Sequence, residues 1–313
     1  LICPIYWRVT LLKSNELIVI SGGTGWIGRS LVSEIITTQH CPIEQIVLIS
    51  SQSKGIEIAN QVIKTITWEN LALDSPVSLY FDLAFQTQEK ILTIGKEKYI
   101  KENEKIIENS VNFIKLYKPQ SIFLASTGAV YGKNYTSDPK PLNTYGQLKL
   151  KQELRISRIS AEENLNLIIS RVFNLSGSNI NKYQTFAIAQ FINSAIDQKF
   201  IKVIADHQVF RRYADVNQLI RLILKLMNSR VNCVFDSGGP LIELRDLALR
   251  IKNVLDPSIR LEHNVINENI PVDDYYSRFN HYEDLLKKHL NEVPINIEDQ
   301  ITNTFNYIKG FKN

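Results

Sequence analysis

The chain has 313 residues, 44% of them hydrophobic and 22% charged, which gives an ordinary globular composition and enough length for one large domain or two. Its 36 Lys and Arg against 32 Asp and Glu leave a net charge of +4, dispersed along the sequence, which argues against a nucleic-acid partner. No apolar run is long enough to cross a bilayer, so no membrane partner is expected. Three cysteines (Cys3, Cys41, Cys233) stand far apart, which excludes a zinc ribbon or disulfide framework and fits a reducing, cytoplasmic setting. The histidines (His40, His207, His263, His281, His289) show no ligand spacing, and no metal is expected.

Residues 1–16 read as an N-terminal extension. Ile2, Ile5, Trp7, Val9 and Leu11 alternate there with Arg8 and Lys13, and no small-residue cleavage site follows. Leu17–Ile20 is a short β-branched strand, followed directly by Ser21-Gly22-Gly23-Thr24-Gly25-Trp26-Ile27-Gly28. An apolar helical pattern then runs through Leu31, Val32, Ile35 and Ile36. Strand, glycine turn and helix in this order form the context of a dinucleotide-binding fingerprint. Gly22, Gly25 and Gly28 allow close backbone approach to a pyrophosphate, and the helix opening at Trp26 and Ile27 offers N–H groups to its charge.

Gln45–Ile49 reads as the second strand, and Ser50-Ser51-Gln52-Ser53-Lys54 follows it without a carboxylate. An acid there would bind the adenosine ribose and repel a 2′-phosphate. Its absence, with Ser51 and Lys54 at hand, leans towards NADP(H) over NAD(H). Next come an amphipathic segment over 56–62, a third strand over 65–69, and a fourth over 77–84 with its loop. Tyr99–Tyr117 has helical period and is closed by Pro119. Residues 120–125 form a buried apolar strand leading into Ser126-Thr127-Gly128-Ala129-Val130-Tyr131-Gly132. Such alternation predicts a parallel sheet covered on both faces.

Tyr145 and Lys149 open the next helix, four residues apart and so on one helical face. A phenol beside an ammonium ionises more readily, which suits proton exchange with a carbonyl or an alcohol near neutral pH. Thr127 can supply a hydroxyl that holds the reacting oxygen. That helix runs to about Glu163, and 167–173 is another strand. Asn174–Gln184 reads as a polar loop, 186–196 as helix, 200–204 as strand, and 219–227 as an apolar helix. A helix over about 244–255 precedes a polar C-terminal region. Asn134-Tyr135-Thr136 and Asn174-Leu175-Ser176 match the glycosylation pattern, which a cytoplasmic protein would not use.

Together these blocks resemble the extended short-chain dehydrogenases/reductases, in particular the NAD-dependent epimerase/dehydratase group that acts on nucleotide sugars. The resemblance runs from Leu17 to about Ile251. It implies a Rossmann-type doubly wound parallel α/β sheet with a smaller mixed α/β substrate-binding domain. The division it implies is 17–174 for the NAD(P)-binding domain and 175–313 mainly for substrate, with part of 205–235 returning to the first. It also implies Thr127, Tyr145 and Lys149 as catalytic residues, with Tyr145 and Lys149 also touching the cofactor. Leu83, Ala84 and Asn103 fall at cofactor positions. Arg171-Val172-Phe173-Asn174 resembles the family's R-x-x-N, and Phe210–Val216 resembles its R-D-F/Y-V-x-V block. These make Asn174 and Arg211 substrate diphosphate ligands, beside Thr127 and Tyr145; a guanidinium grips phosphate bidentately.

The departures are informative. Asp82-Leu83-Ala84-Phe85 stands where the family has H-L-A-A, and Arg212 stands where an Asp is common. Gly128-Ala129 replaces the Asp-Glu pair of the 4,6-dehydratases, which disfavours water elimination. Two reactions fit what is left. An NADPH-dependent reductase would act on a 4-keto nucleotide sugar, and the missing ribose carboxylate leans this way. A 4-epimerase would instead hold NAD, oxidise C4 and return hydride to the other face of the ketone. A non-catalytic dinucleotide sensor is the reading from a different class, because fold alone does not establish function. The family resemblance also implies a homodimer.

Overall fold

The β-branched run that begins at Leu17 becomes an inner strand of a large sheet, because every residue from Ile18 to Ser21 is buried and must be covered on both faces. The computed structural model describes residues 13, 15–38, 41–132, 143–181 and 183–312. The extension over 1–16 therefore lies outside the description save for Lys13, Asn15 and Glu16, and so does the Asn134 match. The chain runs β1 (Leu17–Ser21), α1 (Trp26–Thr37), β2 (Ile46–Ile49), β3 (Gly55–Ile58), β4 (Gln61–Ile66), β5 (Val77–Asp82), α2 (Lys90–Ile94), α3 (Lys96–Tyr117), β6 (Ser121–Thr127) and α4 (Thr144–Glu162). It continues β7 (Asn166–Val172), β8 (Asn174–Ser176), α5 (Ala187–Gln198), β9 (Phe200–Val203), β10 (Phe210–Asp215), α6 (Val216–Asn228), β11 (Cys233–Asp236), β12 (Leu241–Glu243), α7 (Leu244–Leu255), β13 (Arg260–His263), α8 (His281–Leu290) and α9 (Ile297–Lys312).

These elements form two units. The first comprises the chain up to Ser126 with Gln147–Ser170 and Ile223–Val234; the second comprises Thr127–Gly146, Arg171–Leu222 and Phe235–Asn313. No single cut in sequence separates them.

The large sheet has the order β11-β7-β6-β5-β1-β2-β4-β3. Pairs β1–β2, β1–β5, β5–β6 and β2–β4 are parallel, while β3–β4 is antiparallel. Strands β5 and β6 are buried at every position, which is what a sheet covered on both sides requires. Helix α3 contributes Ile107, Val111, Phe113 and Ile114 to a core shared with Val19, Tyr80, Ile122, Leu124 and Ile156. Each fully buried aliphatic side chain there contributes about 1.5–3 kcal/mol.

In the second unit β8 pairs parallel with β10, which pairs antiparallel with β12. A two-stranded sheet, β9 with β13, is parallel.

Three stretches differ from the sequence reading. The amphipathic segment over 56–62 is the start of a hairpin, turning at Ala59 and Asn60, both at positive φ. Ile56, Ile58 and Ile63 face inward with period two, but Ala-Asn is a weak turn signal beside Asn-Gly, and the third strand ends at Ile66 before a short 3-10 turn over Trp68–Asn70. The loop expected from Asn174 opens with β8. The polar C-terminal region contains α8 and α9, whose inward faces mix Tyr282, Leu286, Ile297, Ile301 and Ile308 with buried Gln300 and Thr304. Buried polar residues within the stripe obscure its helical period.

Glycine packing gives a test of this architecture. A Cβ on Gly28 would lie 2.6 Å from Gly22 O and Gly23 Cα, both backbone atoms, whereas one on Gly310 in α9 would meet nothing within 4 Å. Gly28→Ala is expected to destabilise by about 1–3 kcal/mol. Gly310→Ala is expected to stabilise by about 0.5–1 kcal/mol. Urea unfolding midpoints of the two variants check both signs.

Candidate active site

The glycine turn of the first unit is built between β1 and the segment after β5. Gly22 sits at φ +75°, and a Cβ there would lie 2.7 Å from Ala84 N and from the Leu83 carbonyl carbon. Gly22 and Gly28 are thus demanded by packing. Gly25 is different. Its φ is −76°, open to any residue, and a Cβ on it would meet only Gly22 O at 3.4 Å. It is exposed, it caps α1, and the first turn of that helix carries no acidic residue that would compete with an anion. Trp26 is buried beside it and Ile27 half-buried. Ser51 and Lys54 are exposed, between β2 and the hairpin.

Asn103 is fully buried on α3. It accepts from Gln86 N at 2.9 Å and donates to Tyr99 O at 3.1 Å, so it holds the loop that follows Leu83 and Ala84.

Helix α4 carries Tyr145 in its first turn, half-buried, and Lys149 one turn later, 4% exposed. The Lys149 ammonium donates to Ala125 O at 2.7 Å and to Gln152 Oε1 at 3.0 Å, and lies 4.1 Å from the centroid of the Phe85 ring. Gln152 Nε2 donates in turn to Asp82 Oδ2 at 3.0 Å. Ser21 and Ser110 both donate to Asp82 Oδ1, at 2.9 and 3.0 Å. Burial lowers the pKa of Lys149 to about 8, with the charges of Asp82 and Glu153 acting against that fall. Burial likewise raises Asp82, opposed by Lys149 and its three hydrogen-bond donors.

In the second unit Thr127 ends β6. Its Oγ1 accepts from Ala129 N at 3.2 Å and lies 3.4 Å from the Tyr275 hydroxyl. Tyr275 packs on Phe173, ring centroids 5.0 Å apart, and burial raises its pKa. Two residues on, Ser277 donates to Asp236 Oδ2 at 2.7 Å. Asp236 Oδ1 accepts from the Tyr131 hydroxyl at 2.9 Å, and that hydroxyl accepts from Arg171 at 2.7 Å.

Arg211 on β10 forms a bidentate pair with Asp273, at 3.0 and 2.7 Å, and also donates to Phe210 O. Burial pushes the Asp273 carboxyl up, but the hydrogen bonds and charge of Arg211 outweigh it and hold it below its ordinary value. Arg212, on the alternate face of the strand, pairs with Glu283 at 3.1 Å. Asn174 opens β8, and its Nδ2 is buried without a hydrogen-bond partner among the described residues. Such an orphaned amide costs about 1–3 kcal/mol unless something accepts from it.

The expected cofactor residues Gly22, Gly25, Trp26, Ile27, Gly28, Leu83, Ala84, Asn103 and Lys149 thus all belong to the first unit, as do Ser51 and Lys54. Thr127, Tyr145, Asn174 and Arg211 belong to the second. Sequence reasoning missed Gln152, Tyr275 and Asp273. The adjacent Tyr275-Tyr276 in a polar stretch was the available signal for the second. Among the described residues no helix is long and apolar enough to cross a membrane, and no group of three or more His, Cys, Asp or Glu is placed to hold a metal ion.

The depressed Lys149 has a thermodynamic consequence. Between about pH 8 and its ordinary 10.5 the unfolded chain binds more protons at this site than the folded one, so this contribution to stability rises with pH. Stability of the wild type relative to Lys149→Met is expected to increase across pH 8–9.5 by up to about 1.4 kcal/mol per pH unit. Urea unfolding of both proteins over that range measures it, and taking the difference cancels the titration of groups that do not interact with Lys149.

Residues 18–234 match the model of the NAD dependent epimerase/dehydratase family. The chain is similar to UDP-glucuronic acid decarboxylase 5 of Arabidopsis thaliana, 23% identical over 284 residues that cover 83% of this chain and 80% of that one. Its structure is similar to that of UDP-N-acetylglucosamine 4-epimerase from Methanobrevibacter ruminantium M1, solved with UDP-N-acetylmuramic acid, with a TM-score of 0.74 at 17% identity over 96% of this chain and 100% of the other. It is also similar to UDP-glucuronic acid 4-epimerase from Bacillus cereus, solved with NAD, with a TM-score of 0.69 at 16% identity over 94% and 96% of the two chains. These likenesses share a Rossmann-type fold, and with the match over most of its length the chain belongs to the NAD-dependent epimerase/dehydratase family.

Proposed function

We propose that this chain is an enzyme acting on a nucleotide-diphosphate sugar, with hydride exchange at a sugar carbon and a dinucleotide seated on the glycine turn. The observation that carries the reading is Gly25. Packing accounts for the glycines at 22 and 28, but nothing in the fold requires one at 25, where a side chain would only obstruct a ligand's close approach. The helix opening at Trp26 and Ile27 suits a pyrophosphate, whose charge is stabilised by a helix N-terminus. When bound, the dinucleotide supplies acceptance and donation of hydride.

The chain's own residues supply the proton chemistry and the orientation. Tyr145 exchanges the proton of the sugar hydroxyl or carbonyl oxygen. Lys149 favours the phenolate of Tyr145 through its charge and binds the nicotinamide ribose. Thr127 fixes the reacting oxygen. Asn174, with an amide N–H still to be satisfied, and Arg211 take the substrate's diphosphate. Arg211 would then share its guanidinium with Asp273, which already grips it in the geometry a phosphate would use.

The redox-neutral form of this chemistry, a 4-epimerase holding NAD, is supported by the kinds of protein the fold is similar to, one of them solved with NAD. A second reading, a reductase of a 4-keto nucleotide sugar using NADPH, is favoured by the turn from Ser50 to Lys54, which lacks the carboxylate that would repel a 2′-phosphate.

Two variants test the proposal. Gly25→Ala is expected to fold with stability within about 1 kcal/mol of wild type. Its dinucleotide affinity should nevertheless fall by about tenfold or more, or about 1.4 kcal/mol, by calorimetry. Unchanged affinity would remove the glycine turn from the binding site. Tyr145→Phe should keep that affinity and lose turnover of UDP-sugars by about 100-fold or more. Turnover retained in Tyr145→Phe would end the assignment of this tyrosine.

A further inference from the structure

An ammonium group has three N–H donors and no acceptor. For Lys149 the recorded partners are Ala125 O, Gln152 Oε1 and the face of the Phe85 ring. Since the ammonium can only donate, it fixes the orientation of the Gln152 amide: Oε1 faces Lys149, so Nε2 must face outward as a donor. What receives it is Asp82 Oδ2, on a carboxyl group with no exposed surface. The other oxygen, Oδ1, takes the hydroxyls of Ser21 and Ser110, and Ser110 is itself held by the Tyr80 hydroxyl at 3.1 Å. The chain Asp82–Gln152–Lys149 thus has one polarity, negative at β5 and positive on α4, with a neutral amide between. A buried charge of either sign is costly alone and tolerable when compensated.

We propose that Asp82, acting through Gln152, is a positioning residue for Lys149: it is the buried counter-charge that keeps the ammonium charged and fixed in place for the dinucleotide. This rests on the reading above in which Lys149 binds the nicotinamide ribose and supports Tyr145. The negative groups bearing on Lys149 are Asp82 from β5 and Glu153 from α4 itself, and Glu153 also accepts the hydroxyl of Ser126. Asp82 is joined to the ammonium by a continuous run of hydrogen bonds through Gln152. The sequence hides this, because Asp82 and Gln152 are 70 positions apart.

The test titrates Lys149 directly. Side-chain NMR of 13C-labelled lysines, with the Lys149 signal assigned by its loss in Lys149→Met, is followed with pH in the wild type and in Asp82→Asn. The midpoint is expected to fall by about one pH unit or more in the variant, since desolvation is then less opposed. Gln152→Leu is measured beside it, because it breaks the relay while leaving Asp82 bonded to both serines. It should shift the midpoint in the same direction. Calorimetry with NAD then follows the consequence: for a one-unit fall from about 8, affinity in Asp82→Asn should drop about threefold at pH 7.5 and return to nearly that of wild type at pH 6, where Lys149 is protonated in both.

A midpoint unmoved in both variants would overturn the proposal, as would an affinity loss of equal size at every pH, the mark of a merely structural role. Failure of the wild type to bind NAD or NADP would instead overturn the reading of function, and the NMR titration would still report on Asp82.

Discussion

A lysine ammonium held out of water is the constraint on which this arrangement turns. At Lys149 desolvation works against the charge, and the surrounding residues are organised to oppose it. Ala125 offers its carbonyl from β6, Phe85 offers its ring from the segment after β5, and Gln152 connects to Asp82 at the end of β5. The same residues shape the glycine turn. Ser21, which bonds to Asp82, is the last residue of β1, and Gly22 next to it packs against Leu83 and Ala84. One compact polar network therefore fixes the end of β1, the end of β5 and α4 at Lys149 and Gln152. A half-satisfied network of this kind would be worse than an apolar core, which explains why each member has its partner.

The second unit solves a different problem. It holds polar and aromatic side chains in fixed positions through bonds among themselves. Tyr131 is locked between Arg171 and Asp236, Ser277 adds a second bond to Asp236, and Tyr275 is thereby kept within reach of Thr127. Arg211 is held by Asp273, so in the proposed site little of its side-chain entropy would be left to lose on binding a diphosphate. Asn174 keeps a buried donor in reserve.

Much of this was legible in the sequence where the signal is local. The strand, glycine turn and helix from Leu17 to Ile36 lie in order within twenty residues, and Tyr145 and Lys149 are one helical turn apart. Local spacing fixes such features before any tertiary contact forms. Long-range pairings were not legible. Asp82 shows in the sequence only as a departure from a family pattern, and its partner Gln152 looks like one more polar residue on a lysine-rich helix. The hairpin over Gly55–Ile66 was missed because Ala59-Asn60 is an uncommon turn pair, although both adopt the left-handed conformation such a turn needs. Helix α9 was missed because Gln300 and Thr304, which bond to Ser176 Oγ and Gly177 N, occupy core positions that periodicity assigns to apolar residues.

The central claim is that the turn from Gly22 to Gly28 seats a redox dinucleotide. Purifying the protein without added cofactor, denaturing it, and identifying the released nucleotide by mass spectrometry tests this most directly, with titration of NAD and NADP into any empty fraction. The account predicts either stoichiometric NAD, as a redox-neutral 4-epimerase would retain, or an empty turn that binds a dinucleotide when one is supplied, with NADP(H) preferred for a reductase. A protein that releases no dinucleotide and binds neither one would contradict it.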